Sequence, residues 1–126
     1  MWYHPIMLRT GIDVVEIERF RRAMSRHGER LLTRLFTEQE RVACGGNVAS
    51  LAARFATKEA AAKALGTGIG VVRWQDIEVV TDARGTPRLV LHGVALALAE
   101  RDGLSEWALS LSHSRGCAVA VVVAKG

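Results

Sequence analysis

Residues 6–15 are apolar and β-branched enough to predict a strand. From Glu16 the period changes. Ile17, Phe20 and Met24 recur at helical spacing, Arg19, Arg22 and Arg26 fall off that stripe, and Gly28 supplies a C-terminal stop. Thr37-Glu38-Gln39-Glu40 has the form of a capping box opening a second helix toward Ala43. Residues 50–65 carry the strongest helix signal: they are rich in Ala and Leu, lack Gly and Pro, and end at Gly66. Residues 76–81 alternate, with Ile77 and Val79 on one face. A turn-rich loop from Asp82 to Pro87 leads to a partner strand at 88–92. Residues 94–101 predict another helix, stopped by Gly103. Trp107, Leu109, Leu111 and His113 then alternate along a strand, and Ser114-Arg115-Gly116 turns it into residues 117–124. That last strand is apolar on both faces, which predicts a central position. Helices come first and paired strands dominate the end. The expected fold is α+β, a largely antiparallel sheet packed against one long helix and shorter ones.

Composition narrows the class. The 126 residues, with no linker-like stretch and no repeat, predict one domain over 1–126. Hydrophobic residues at 49% and charged residues at 24% exclude a disordered tail. The longest apolar run, residues 117–124, is far below the ~20 a membrane helix needs. The segment 1–7 lacks a basic region and Arg9 interrupts any signal-like core, so a cytoplasmic protein is expected. Cys44 and Cys117 fit a reduced compartment and form no metal-ligand spacing. A net charge of +4 favours an acidic or polyanionic partner. A nucleic-acid-binding module is one class that charge admits, but aromatics are only 6% and do not interleave with Lys or Arg.

Two carboxylates and several cations stand out. On the long helix Leu51, Phe55, Ala62 and Leu65 define an apolar stripe, and Lys58 falls inside it. A lysine there must snorkel, pair or reach a bound anion. Glu59 and Lys63 stand one turn apart on the flank, either as a solvated pair worth about 0.2–0.5 kcal/mol or as part of a site. The small residues Ala52 and Ala56 beside them would let another molecule or strand approach the helix backbone. Arg54, Lys58 and Lys63 would place three cations around one carboxylate, an arrangement that suits a phosphate bridged to a divalent metal on Glu59. Asp13 interrupts an apolar run, where it either caps the next helix or binds a cation. His113 ends an apolar strand face, as a hydrogen-bonded core residue or a functional one. Gly66-Thr67-Gly68-Ile69-Gly70 follows a helix instead of opening one, so it fails the context of a dinucleotide or P-loop motif. The same order argues against a metal-independent coenzyme A-binding acyltransferase, whose loop should precede a helix.

Taken in order, these pieces resemble the holo-acyl-carrier-protein synthase family of 4′-phosphopantetheinyl transferases. The matching segments are Gly11-Ile12-Asp13-Val14-Val15-Glu16-Ile17, Phe36-Thr37 with Glu40, and Arg54-Phe55-Ala56-Thr57-Lys58-Glu59-Ala60. They continue as Lys63-Ala64-Leu65-Gly66-Thr67-Gly68-Ile69, Trp74-Gln75-Asp76-Ile77-Glu78, Gly85-Thr86-Pro87 and Ser110-Leu111-Ser112-His113. Arg9 stands where the family often has glycine, a departure that bears on local strand geometry.

The resemblance implies transfer of 4′-phosphopantetheine from coenzyme A to a serine of apo-acyl carrier protein, leaving adenosine 3′,5′-bisphosphate, in fatty acid biosynthesis. It implies Mg²⁺, with Mn²⁺ as a substitute, on Asp13 and Glu59, and Lys63 on a phosphate. Lys58 and Arg54 would extend that cradle. Gly66, Thr67, Gly68 and Pro87 would line the nucleotide site, and His113 would contact a phosphate or orient a neighbour. The general base is open between Glu59 and a water on the metal. Arg19, Arg22 and Arg26 would dock the acidic carrier, and the family's homotrimer would place sites between subunits.

Overall fold

The protein is described here by a computed structural model covering residues 7–126; position 6 of the expected first strand lies outside them. Strand β1 (Leu8–Glu16) leads into helices α1 (Ile17–Leu35), α2 (Glu38–Cys44) and α3 (Val48–Ala64). A short 3-10 turn at Trp74–Asp76 precedes β2 (Ile77–Thr81) and β3 (Pro87–Leu91). Helix α4 (Gly93–Arg101), β4 (Glu106–His113) and β5 (Cys117–Lys125) follow. The α+β arrangement is as expected. The antiparallel strands divide, however, into two sheets: β1-β5-β4 and the hairpin β2-β3. The doubly apolar β5 is central in its sheet, and Ala118, Ala120, Val122 and Ala124 bury its inner face.

Helix α1 does not stop where expected. Gly28 adopts φ 57° and ψ −142°, a kink after which the helix resumes to Leu35. Packing explains the continuation. Leu31, Leu32 and Leu35 still have an apolar cluster to join, formed with Ile17, Phe20, Phe36 and Leu51. Phe20, Phe55 and Trp74 extend it as a run of ring contacts, with centroids 5.4 and 4.9 Å apart. Helix α2 opens on the expected capping box. The Glu40 N–H donates to Thr37 Oγ1 at 3.2 Å, and the Thr37 N–H donates to Glu40 Oε1 at 3.0 Å.

Helix α3 is buried nearly all round, instead of along one stripe. Ala52, Ala53, Ala56, Ala60, Ala61, Ala62 and Ala64 are each at most 2% exposed. Alanines allow neighbours to pack close, and α3 meets the β1-β5-β4 sheet, α1, α2 and β2. Ala52 and Ala56 therefore admit no outside molecule. What comes close is β1: a Cβ built on Gly11 would lie 1.8 Å from the Ala60 carbonyl oxygen and 3.2 Å from the Ala64 nitrogen. Only glycine lets the two backbones touch there. Arg9 keeps regular strand pairing opposite Ala124. Its guanidinium reaches the Ala64 carbonyl at 3.3 Å and Asp102 at 3.4 Å, placing positive charge at the C-terminal end of α3.

The other face of the three-stranded sheet is uncovered in a single chain. Leu8, Ile12 and Val14 are 57–60% exposed, and Val121 is 38% exposed.

Gly11→Ala should lower unfolding free energy by about 1–3 kcal/mol, because strand and helix must part to admit a methyl group. Urea unfolding reads this directly, and an unchanged midpoint would refute the contact.

Candidate active site

Strand residues alternate between faces, so Asp13 shares the helix-facing side of β1 with Gly11. It does not cap α1, whose N-cap is Glu16. Its side chain, one-fifth exposed, meets α3 at the half-exposed Lys63. The Lys63 ammonium donates to Asp13 Oδ1 at 3.1 Å and to the Ile12 carbonyl at 2.9 Å. Glu59 lies one turn earlier on the same flank of α3. Partial burial pushes its carboxyl above the ordinary glutamate range, the negative charge of Asp13 pushes it further, and Lys63 opposes both. The three residues expected to act together do converge.

This donor set suits a hard divalent cation. An ammonium already sits on one Asp13 oxygen and on a main-chain carbonyl, so the position attracts positive charge. Asp13 and Glu59 bring two mutually repelling carboxylates, a repulsion that a cation between them would relieve. No group of three or more His, Cys, Asp or Glu residues able to hold a metal occurs among the described residues. The site would therefore rely on substrate phosphate and water for its other ligands, the manner in which Mg²⁺ is usually held.

Lys58 belongs elsewhere, and the phosphate cradle expected of it is corrected. It is fully buried, and its ammonium donates to Glu40 Oε1 at 2.7 Å, Trp74 O at 3.0 Å and Ile77 O at 2.6 Å. Burial pulls it below the ordinary lysine range, against the pull of Glu40 in the other direction. It ties α3 to α2 and β2. Arg54 also leaves the expected cluster. Nine residues separate it from Lys63, half a turn around the helix and roughly 13 Å along it. Its Nη2 donates to Thr81 Oγ1 at 3.1 Å, and its buried Nε has no partner. Three cations around Glu59 are thus impossible within one chain.

The remaining expected residues are dispersed. Gly66, at φ 76°, closes α3: its N–H donates to Lys63 O at 3.0 Å and the Thr67 N–H to Ala62 O at 3.1 Å. Gly68 is exposed beyond it. Pro87 pairs with Thr81 in the small hairpin, on Arg54's side of α3. His113 is exposed at the end of β4, so it is not a core histidine. It faces Ala118, which also faces Val15, two strands or about 10 Å from β1. Arg19, Arg22 and Arg26 are exposed on one side of α1 and, with Glu16 and His27, line a groove of about 550 Å³ beginning at the last residue of β1.

Sequence reasoning missed the polar network behind the site. Glu40, read only as a cap, is fully buried and also accepts from the Val79 N–H at 2.9 Å. Beside it Glu78 accepts from Thr37 Oγ1 at 2.7 Å and lies 3.0 Å from His92 Nε2. Burial pushes the Glu78 carboxyl up, but the bonds from Thr37 and His92 outweigh it and hold it below the ordinary range. Lys58 among core positions is the one signal of it, since a lysine there must snorkel, pair or reach a bound anion.

Lys58→Ala should cost about 3–5 kcal/mol of stability, because it strands the Glu40 charge. Glu40→Leu combined with Lys58→Met should cost less than the two single changes summed. Denaturant unfolding decides, and additive losses would contradict the pairing.

A profile of the 4′-phosphopantetheinyl transferase superfamily matches residues 9–122. The chain is 48% identical to a holo-[acyl-carrier-protein] synthase of Herpetosiphon aurantiacus, over 95% of this chain and all of that one. It is 50% identical to another of Solidesulfovibrio magneticus, over 92% and 96% of the two. In three dimensions it resembles the Helicobacter pylori holo-[acyl-carrier-protein] synthase in complex with coenzyme A. The TM-score is 0.84 at 33% identity, over 91% of this chain and 98% of that one.

Proposed function

Because this chain belongs to the 4′-phosphopantetheinyl transferase superfamily, we propose that it transfers 4′-phosphopantetheine from coenzyme A to a serine of apo-acyl carrier protein. Adenosine 3′,5′-bisphosphate leaves, and the holo-carrier serves fatty acid biosynthesis. The observation that carries this reading is the meeting of Asp13, Glu59 and Lys63 where β1 crosses α3. Its relatives are holo-[acyl-carrier-protein] synthases, one of them solved with coenzyme A.

Asp13 and Glu59 would hold the divalent cation, Mg²⁺ or Mn²⁺, which when bound polarises the phosphoanhydride and neutralises charge developing on it. Lys63 would neutralise a phosphate oxygen from the exposed end of its long side chain. The carrier serine attacks the phosphorus bearing the pantetheine arm, and its proton passes to a Glu59 oxygen or to a water beside it. Arg19, Arg22 and Arg26 hold the acidic carrier with that serine toward Asp13, since α1 starts where β1 ends.

The active unit is a homotrimer of single-domain subunits. Two features support shared sites. The apolar outer face at Leu8, Ile12, Val14 and Val121 is what another copy would cover. Arg54 and Pro87 lie across α3 from Asp13, so the cation side of one copy would complete the nucleotide side of the next. Gly66, Thr67, Gly68 and His113 would contribute to its walls. No helix among the described residues is long and apolar enough to cross a membrane, and Cys44 and Cys117 are free thiols. Both suit a cytoplasmic enzyme.

With coenzyme A, Mg²⁺ and apo-carrier, intact-mass spectrometry should show the carrier gain one phosphopantetheine. Turnover undiminished by excess chelator would refute the cation's role. Asp13→Ala and Glu59→Ala should each lower kcat/KM by about a hundredfold or more while leaving circular dichroism unchanged. Near-full activity in both would overturn the assignment. Arg22→Glu should raise KM for the carrier about fivefold or more with little change for coenzyme A, an effect that shrinks in salt. Equal rises for both substrates would exclude the docking helix.

A further inference from the structure

The Lys63 ammonium holds the same carboxylate on which the proposed cation depends. It donates to Asp13 Oδ1 at 3.1 Å and to the Ile12 carbonyl beside it at 2.9 Å. A dication on Asp13 and an ammonium on the same carboxylate would stand within a few ångströms of each other, where like charges repel strongly. Resting on the transferase reading above, we propose that Lys63 competes with the divalent cation for Asp13, and that cation binding releases it to the substrate phosphate.

Three observations give the side chain the means to exchange partners. Lys63 is on average 55% exposed, so its tip can move through solvent. Asp13 is only 20% exposed and is fixed by strand pairing opposite Ala120, so the carboxylate stays while the ammonium moves. Glu59 stands one turn away with its carboxyl exposed to the Asp13 charge, so a dication meets two acids where the ammonium bonds one.

The consequence is thermodynamic coupling. A cation that displaces Lys63 leaves an unpaired ammonium next to the site where the diphosphate binds. A diphosphate that captures Lys63 in turn bares Asp13 for the cation. Linkage requires the two effects to be equal in size. Lys63 thus makes cation and coenzyme A bind as a pair and disfavours either alone, beyond the chelation that a diphosphate itself provides.

Mn²⁺ binding, followed by the electron paramagnetic resonance of the free ion, tests this without turnover. In the absence of coenzyme A, Lys63→Met and Lys63→Gln should bind Mn²⁺ roughly threefold to tenfold more tightly than the wild type. Lys63→Arg, which keeps a cation there, should stay near wild type. Arg101→Gln, which removes a charge at the end of α4 bonded to Asp102, should change nothing. Coenzyme A should tighten Mn²⁺ binding by a larger factor in the wild type than in Lys63→Met. Unchanged or weaker Mn²⁺ binding in both neutral variants overturns the competition while leaving the transferase reading intact. Failure of every form to bind Mn²⁺, with or without coenzyme A, overturns the cation assignment and this proposal with it.

Discussion

The backbone contact between β1 and α3 at Gly11 sets everything that matters about the site. With a hypothetical Cβ only 1.8 Å from the Ala60 carbonyl, the strand lies directly on the helix. Strand alternation carries that contact two residues on to Asp13, and the helix carries it back one residue to Glu59 and forward one turn to Lys63. Side chains as short as Asp can meet their partners only because the backbones are this close. The same approach explains why α3 is built of alanine where β1 and β5 lie on it.

Around that contact α3 works as an axle with different chemistry on each side. One flank carries Glu59 and Lys63 toward Asp13. About a quarter turn away Lys58 runs inward, and its ammonium joins Glu40 and two main-chain carbonyls in the interior. Glu40 in turn receives the Thr37 and Val79 N–H groups. A buried pair with every polar atom bonded is expensive to disturb, so it fixes the rotation of α3 about its axis. Adjacent lysine and glutamate in one helix thus have opposite fates: one buried and fixed, one facing solvent beside a second acid.

The chain leaves two matters unfinished that point the same way. The outer face of the three-stranded sheet is apolar and open, and the residues expected to hold one nucleotide sit on opposite sides of α3. Both are resolved if copies assemble through that face. A chain of 126 residues wraps most of its secondary structure around a single helix, which leaves little surface for a deep pocket of its own.

Local pattern was enough to read most elements, because capping boxes, turn glycines and hydrophobic period are properties of a few neighbouring residues. The Thr37 cap, the end of α3 at Gly66, the antiparallel strands and the central β5 all came from such patterns. So did Asp13, Glu59 and Lys63 as the residues to watch. Patterns misled where the deciding partner is distant in sequence. Gly28 kinks a helix instead of ending it, because Leu31, Leu32 and Leu35 find a core to bury in. Lys58 pairs with Glu40, eighteen residues away, and no spacing rule links them. Arg54 is a different case: its nine-residue spacing from Lys63 already places the two on opposite sides of the helix, and packing decided only that Thr81 would be its partner. Sequence by itself determined which groups could bear charge and where the chain would turn. Tertiary structure alone decided which charges meet, because an ion pair or a cation site is a matter of distance, and distance between remote residues is set by packing.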